Sequence, residues 1–301
     1  MLNRTLPHIN AFGTADISAA SNIQEALSLA RLDWDVKSEN IFNEDGDVFP
    51  GFKANVRETD GKLLGVVSSK YAIVQNDAAF AFVDGLVADG FKFDSAGQFR
   101  DGKSIWVMGQ LPQTSILGDD IETNLVFTNS HDGTSGVKIM MTPVRIVCSN
   151  MLNLALSRAS RTWKTRHTGG IFSKLEEAKY TLNLANNYMG ALKDEADRLA
   201  NITLTEAEIE KLIEEIFPVD LNKDSPVKIR NTIENRKLLR NCYEEADIAQ
   251  FKGTAYGIVN AAADLASHRQ PTRQTDSFYE NSWNSLINGH PILDNIYRKV
   301  A

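Results

Sequence analysis

Cysteine is almost missing from this chain: Cys148 and Cys242 are the only two, and they stand far apart. They fit no metal or redox spacing, which excludes a disulfide scaffold or a zinc ribbon and points to reduced thiols in a cytoplasmic protein. Long apolar runs are absent as well. No stretch of 18 apolar residues exists, so no helical membrane span is expected. No N-terminal segment combines a basic flank, an apolar stretch and a small-residue cleavage site, so no secretory signal is expected either. The enzyme signatures that can be read from short motifs are also lacking. There is no phosphate loop ending in Gly-Lys-Ser/Thr, no glycine-rich dinucleotide turn after a strand, and no nucleophile elbow. No reaction is singled out, and no catalytic residue, cofactor or metal is expected.

The most informative lack is local. Between Gly133 and Leu175 there is no aspartate or glutamate, yet the segment holds Lys138, Arg145, Arg158, Arg161, Lys164, Arg166 and Lys174. The chain as a whole is acidic, with formal net charge -7. That acidity argues against a histone-like coat over a duplex, because the rest of the surface would repel it. A positive segment in an acidic protein points instead to a local polyanion site. The plain alternative is a solvated surface beside a hydrophobic hairpin.

Hydrophobic content of 43% is enough for a packed core. The first 170 residues read as α+β: an antiparallel sheet of hairpins with a few helices. A helix is expected over Ile17–Leu32. Strands are expected at Phe52–Glu58 and Leu63–Ser68, flanking an Asp60-Gly61 turn, and at Tyr71–Val74. Asn76 reads as the cap of a helix ending at Gly90. Further strands are expected at Phe91–Phe93 and Ser104–Leu111. A hairpin then has its tip at Ser130–Gly136 and returns over Val137–Val147. Pro143 in the return strand calls for an edge or a bulge. Ser149 or Asn150 would cap a helix through Met151–Leu156 that ends near Arg158 and Arg161. If Thr162–Thr168 is extended, Lys164 and Arg166 point one way and Trp163 the other.

From Ile171 onward the pattern is helical. Ser173/Glu176 and Thr205/Glu208 are capping-box pairs, Ser225-Pro226 opens a helix, Thr254 caps one through Leu265, and Asp276 or Ser277 opens another. Gly169-Gly170 is the candidate boundary, which divides the chain into an α+β domain over 1–170 and a helical region over 171–301 packed on it.

Within the basic segment, the combination of cations and an aromatic is the chemistry of single-strand binding. Lys138, Arg145, Arg158, Arg161, Lys164, Arg166 and His167 are the expected contacts, with Trp163 available to stack on bases. No helix-turn-helix or zinc finger is present to read a duplex. His131 and Asp132 at the hairpin tip invite an acid–base reading. Neighbours on a strand point to opposite faces, however, so the pair is not preorganised. Trp34 and Trp106 read as core. Asp45/Asp47 and Asp119/Asp120 read as loop residues and not as Mg²⁺ ligands of a nuclease.

Several runs together carry a family likeness. They are Leu32–Val36, Leu64–Ser68, Tyr71–Asn76, Asn129-Ser130-His131-Asp132-Gly133, Thr142–Asn150, Arg166-His167-Thr168, and, more weakly, Gly253-Thr254-Ala255, Asn260-Ala261 and His268. In this combination, from about residue 10 to 290, the chain resembles the phage- and plasmid-borne family of unknown function numbered 932. The resemblance implies a protein in the cytoplasm of a bacterial host that handles mobile-element DNA or counters host defence. Strands feeding a helix and then a basic segment are also similar in kind to the Rad52-type single-strand annealing proteins. That analogy is at the level of fold only, and it implies homo-oligomers. The leading expectation is a single-stranded DNA-binding or annealing protein of recombination. The alternative is an interaction or counter-defence protein that takes a host protein or a small nucleotide.

Overall fold

Two antiparallel sheets carry the N-terminal half. The computed structural model describes residues 14–145, 150–151, 162–171, 173, 175, 181–268 and 290–300. The larger sheet runs in the order β1 (Ala15–Asp16), β5 (Lys92–Phe99), β6 (Ser104–Gln110), β8 (Asp119–Ser130), β9 (Val137–Arg145) and β10 (Asn150–Met151). β7 (Thr114–Ile116) pairs with β8, and β11 (Thr162–Thr165) pairs with β9. The smaller sheet is β2 (Val36–Phe42), β3 (Val48–Arg57) and β4 (Leu63–Ser68). The Asp-Gly turn joins β3 to β4 as expected, with Gly61 at φ 70°.

Contiguous apolar residues bury the middle strands on both faces, as unbroken hydrophobic runs do. Ile105, Val107, Leu125, Phe127, Ile139 and Met141 belong to the main core. Trp106, Met108, Val126 and Met140, on the other face, are buried too. Phe127 sits among the rings of Phe80, Phe82 and Phe91 at centroid distances of 5.4–6.4 Å. α1 (Ile23–Leu29), α2 (Asn76–Phe80) and α3 (Val83–Val87) supply apolar side chains to the same core.

The α+β reading therefore holds, with helices through the C-terminal half: α4 (Thr181–Ala200), α5 (Glu206–Ile216), α6 (Pro226–Glu244), α7 (Ala255–His268) and α8 (Pro291–Val300). α7 is the pivot of this half. Its Ala255, Ile258, Val259, Ala261, Ala262 and Ala263 are fully buried, and α4, α6, α8 and β10 all pack on it. Small residues on every side let those neighbours approach closely. Three of the expected caps are present: Thr205 and Glu208 form a reciprocal capping box, Ser225 accepts from the Lys228 amide, and Thr254 Oγ1 accepts from the Gly257 amide at 3.1 Å. Ser173 lies inside a helical segment instead, its hydroxyl donating to the Gly170 carbonyl. One core cluster runs from Ile17 to Ile296, across both halves.

Several expectations are corrected. The first helix starts only at Ile23, because the Asn22 side chain accepts from the Glu25 amide and caps it there. Tyr71–Val74 is not a strand. Its backbone bonds go elsewhere: Ala72 N–H to the His167 carbonyl, and the Val74 carbonyl to Asn129 Nδ2. Asn76 is the first helical residue and not the cap. Asp119 and Asp120 lie in β8, paired with β7, and not in a loop. Asn150–Met151 is a strand where a helix was expected, and the rest of that helix, Leu152–Leu156, falls outside the described residues, as do Cys148, Glu176, Asp276, Ser277 and Trp283.

β9 pairs β11 along Val137–Met140 and β10 along Val144–Arg145. Pro143 falls in the gap between them, so the interruption of pairing coincides with the one residue that cannot donate. Gly136 is set by contact: a Cβ there would stand 1.8 Å from the Thr165 carbonyl oxygen. Gly136→Ala is expected to push β11 off β9 and to destabilise the protein by about 1–3 kcal/mol, read as a lower urea midpoint. An unchanged midpoint would show that β11 docks loosely.

Candidate nucleic-acid interface and the polar cluster behind it

β11 turns part of the acid-free segment into a row of cations. Lys164 pairs in register with Lys138 of β9, which in turn pairs with Thr128 of β8. Lys164 and Arg166 are exposed, with buried Thr165 and His167 alternating between them, and Lys138 is half-buried. The extended reading holds over Thr162–Thr165; past it the chain bends, with the Thr168 amide bonding the Arg166 carbonyl. None of the three cations is in an ion pair among the described residues. Like charges placed directly across a ladder repel each other. Lys138 and Lys164 hold that arrangement with no carboxylate between them.

The other expected contacts separate. Arg158 and Arg161 lie outside the described residues. Of Arg145 the backbone alone is described, paired with Ile121 and Asn150. Trp163 pairs with Ile139 and packs partly buried against the main core, on the face of β11 away from Lys164. A base stacked on it would not share a face with the Lys164 ammonium. His167 is buried, not a surface contact. Its Nδ1–H donates to the Ala72 carbonyl at 3.0 Å, and its ring stacks on Tyr71 at 4.6 Å and 13°. His167 therefore positions Arg166 and Lys164, and does not touch a ligand on their side.

Behind the row lies a buried polar cluster that the family-like runs build together. His131 is fully buried, and its Nε2 is 2.9 Å from Asn76 Oδ1. Asn76 Nδ2 donates to the Leu32 and Trp34 carbonyls, so Oδ1 must accept and His131 carries its proton on Nε2. Asn55 Nδ2 donates to the His131 carbonyl at 2.8 Å, and the Tyr71 hydroxyl to the Ser130 carbonyl at 2.6 Å. The Trp34 ring lies 5.4 Å from the imidazole. Sequence reading missed Asn55, Asn76 and Tyr71 as members. The one available signal was an asparagine inside the strand Ala54-Asn55-Val56, where that residue is disfavoured.

Asp132 faces away from this cluster. Its Oδ1 accepts from the Ser130 hydroxyl and from the Thr134 amide and hydroxyl at 2.6–3.0 Å, and Arg100 stands 3.3 Å from Oδ2. Burial pushes its carboxyl up, but the Thr134 and Ser130 hydrogen bonds and the Arg100 charge outweigh this and hold it below the usual range. His131 and Asp132 thus form no acid–base dyad. Among the described residues no three His, Cys, Asp or Glu side chains converge as metal ligands would.

Burial, with a smaller repulsion from His167, pushes His131 down to about 3 from 6.5. Burial also lowers His167. Between pH 6.5 and 3 the unfolded chain takes up a proton at position 131 that the folded chain refuses, so stability is complete above that window and falls as pH drops through it. The expected loss from His131 approaches about 1.4 kcal/mol per pH unit inside that window. Urea unfolding at pH 7.5, 6 and 5 should show that slope, and His131→Gln should flatten it. An equal slope in the variant would place the titrating group elsewhere.

No curated protein and no solved structure matches this chain. One family does: residues 63–285 match the Domain of unknown function (DUF932). The matched region contains Tyr71–Asn76, the Asn129–Gly133 turn and the Arg166–Thr168 run, and leaves out Leu32–Val36. With most of its length inside that match, the chain belongs to the DUF932 family.

Proposed function

We propose that this chain is a nucleic-acid-binding protein of a phage or plasmid, working in the cytoplasm of the bacterial host, with single-stranded DNA as its favoured ligand and strand annealing in recombination as its role. One observation carries the reading: Lys138 and Lys164 stand opposite each other in register, beside exposed Arg166, and none of the three meets a carboxylate among the described residues. Bound phosphates relieve the repulsion of such a pair and release counterions as they do so. Lys164 and Arg166 form an open face, which suits a polymer better than a small enclosed nucleotide. Arg145, Arg158 and Arg161 join the proposal on the sequence pattern alone. The likeness to Rad52-type annealing proteins adds no weight, and the division at Gly169-Gly170 into two regions stays a proposal beside a core that is continuous across it.

A separate observation favours the alternative of an interaction or counter-defence protein. The distal part of the smaller sheet exposes Phe42, Val48, Phe49 and Phe52, which have no use in holding phosphate. Calorimetric titration with a cyclic dinucleotide and with a single-stranded oligonucleotide separates the readings, and heat is expected from the oligonucleotide alone.

The direct test is fluorescence anisotropy with a labelled single-stranded oligonucleotide across a salt series. Removing two phosphate contacts by Lys138→Ala/Lys164→Ala should lower the slope of log K against log salt by about 1.4. Binding insensitive to salt, or a double variant that keeps the full slope, would refute the proposal.

A further inference from the structure

The smaller sheet extends beyond the body as an arm. Asn55 anchors β3 through the His131 carbonyl, and β4 reaches only as far as Phe52, where it pairs through Ser68. Past that point β2 and β3 shift register and meet again at Phe42 and Val48, and every residue of β3 from Val48 to Phe52 is exposed. Two strands alone are marginal in water. This pair nonetheless displays Phe42, Val48, Phe49 and Phe52, each with about half of its surface in solvent, and Leu63 and Val66 of β4 continue the apolar surface towards the body. Contiguous exposed apolar groups of this kind mark a docking surface.

Charge selects the occupant. The hairpin tip, Asn43-Glu44-Asp45-Gly46-Asp47, carries three carboxylates and no cation, and none of the three is in an ion pair among the described residues. The chain holds the complement, equally without ion-pair partners among the described residues: Lys138 on β9, Lys164 on the outer strand β11 beside partly buried Trp163, and Arg166 just after it. Within one copy the tip makes no ion pair with that row among the described residues.

We infer that the arm docks on a second copy of this chain, with the acidic tip against that copy's Lys138/Lys164/Arg166 row and the arm aromatics covering the strand edge around Trp163. Each copy then offers one arm and one row, a head-to-tail contact that builds rings or open chains and not a closed two-fold dimer. Arm and polyanion compete for the same cations, so a bound strand displaces the arm. The inference uses the cations of the proposed nucleic-acid face but needs no nucleic acid, and the two fail separately.

Sedimentation velocity of the full chain without nucleic acid, at low salt, tests it. Wild type is expected as a species larger than a monomer. Asp45→Lys/Asp47→Lys and Lys138→Glu/Lys164→Glu are each expected to run as monomers, and an equimolar mixture of the two should recover the assembly, because every reversed site then meets an opposite one. Phe49→Ser/Phe52→Ser should also dissociate it while oligonucleotide binding by anisotropy is retained. Circular dichroism melting of each variant checks that the fold survives these exposed changes. A monomeric wild type, assembly that persists in both charge-reversed variants, or a mixture that stays monomeric would overturn the inference. Loss of assembly only in the phenylalanine variant would do so too, since it would show arms packing on each other.

Discussion

The hydrogen bond between His131 and Asn76 ties together parts of the chain that are distant in sequence. His131 follows the last residue of β8, and its amide bonds the Lys103 carbonyl beside β6. Its carbonyl receives Asn55 from the smaller sheet, and its ring reaches Asn76 at the start of α2. Asn76 in turn holds the carbonyls that lead from α1 into β2. Removing either side chain strands buried donors and acceptors of the other, which costs more than the bond itself contributes. The family-like runs meet at this point because two sheets must join through a polar seam, and a polar seam is stable only when its members satisfy one another.

That seam explains how a row of cations is kept in place. Tyr71 and His167 stack, and Ala72 bonds the His167 backbone and receives its ring proton, so the chain on either side of Arg166 is fixed from behind. Gly136 lets β11 lie close against the start of β9. Repulsion between Lys138 and Lys164 then works against backbone hydrogen bonds and buried contacts, and loses. The site's positive potential is held by packing and not by its own charges.

The arm follows the opposite rule. Its proximal end is anchored by Asn55 and by buried Leu64 and Val67, while its distal end displays aromatics and carboxylates. Its outer strand β2 carries the Lys37–Glu39 pair at 2.9 Å, a charged edge of the kind that discourages unwanted strand pairing. The neighbouring apolar surface has no such protection.

Periodicity, turn residues and caps determined the α+β class, the hairpins at Asp60-Gly61 and at Ser130–Gly136, and the helix starts at Thr205, Ser225 and Thr254, because these depend on neighbours within a few residues. The alternation of Lys164 and Arg166 against Trp163 was equally legible once the segment was taken as extended. The rest was not local. Whether Tyr71–Val74 pairs as a strand depended on Asn129 and His167 competing for its backbone. Whether His167 faces solvent depended on Tyr71, nearly a hundred residues earlier. The pairing of Lys138 with Lys164 exists only because β11 returns to β9. Sequence alone set which residues are charged, apolar or turn-forming; long-range strand pairing and the buried His131–Asn76 seam decided which of them share a surface.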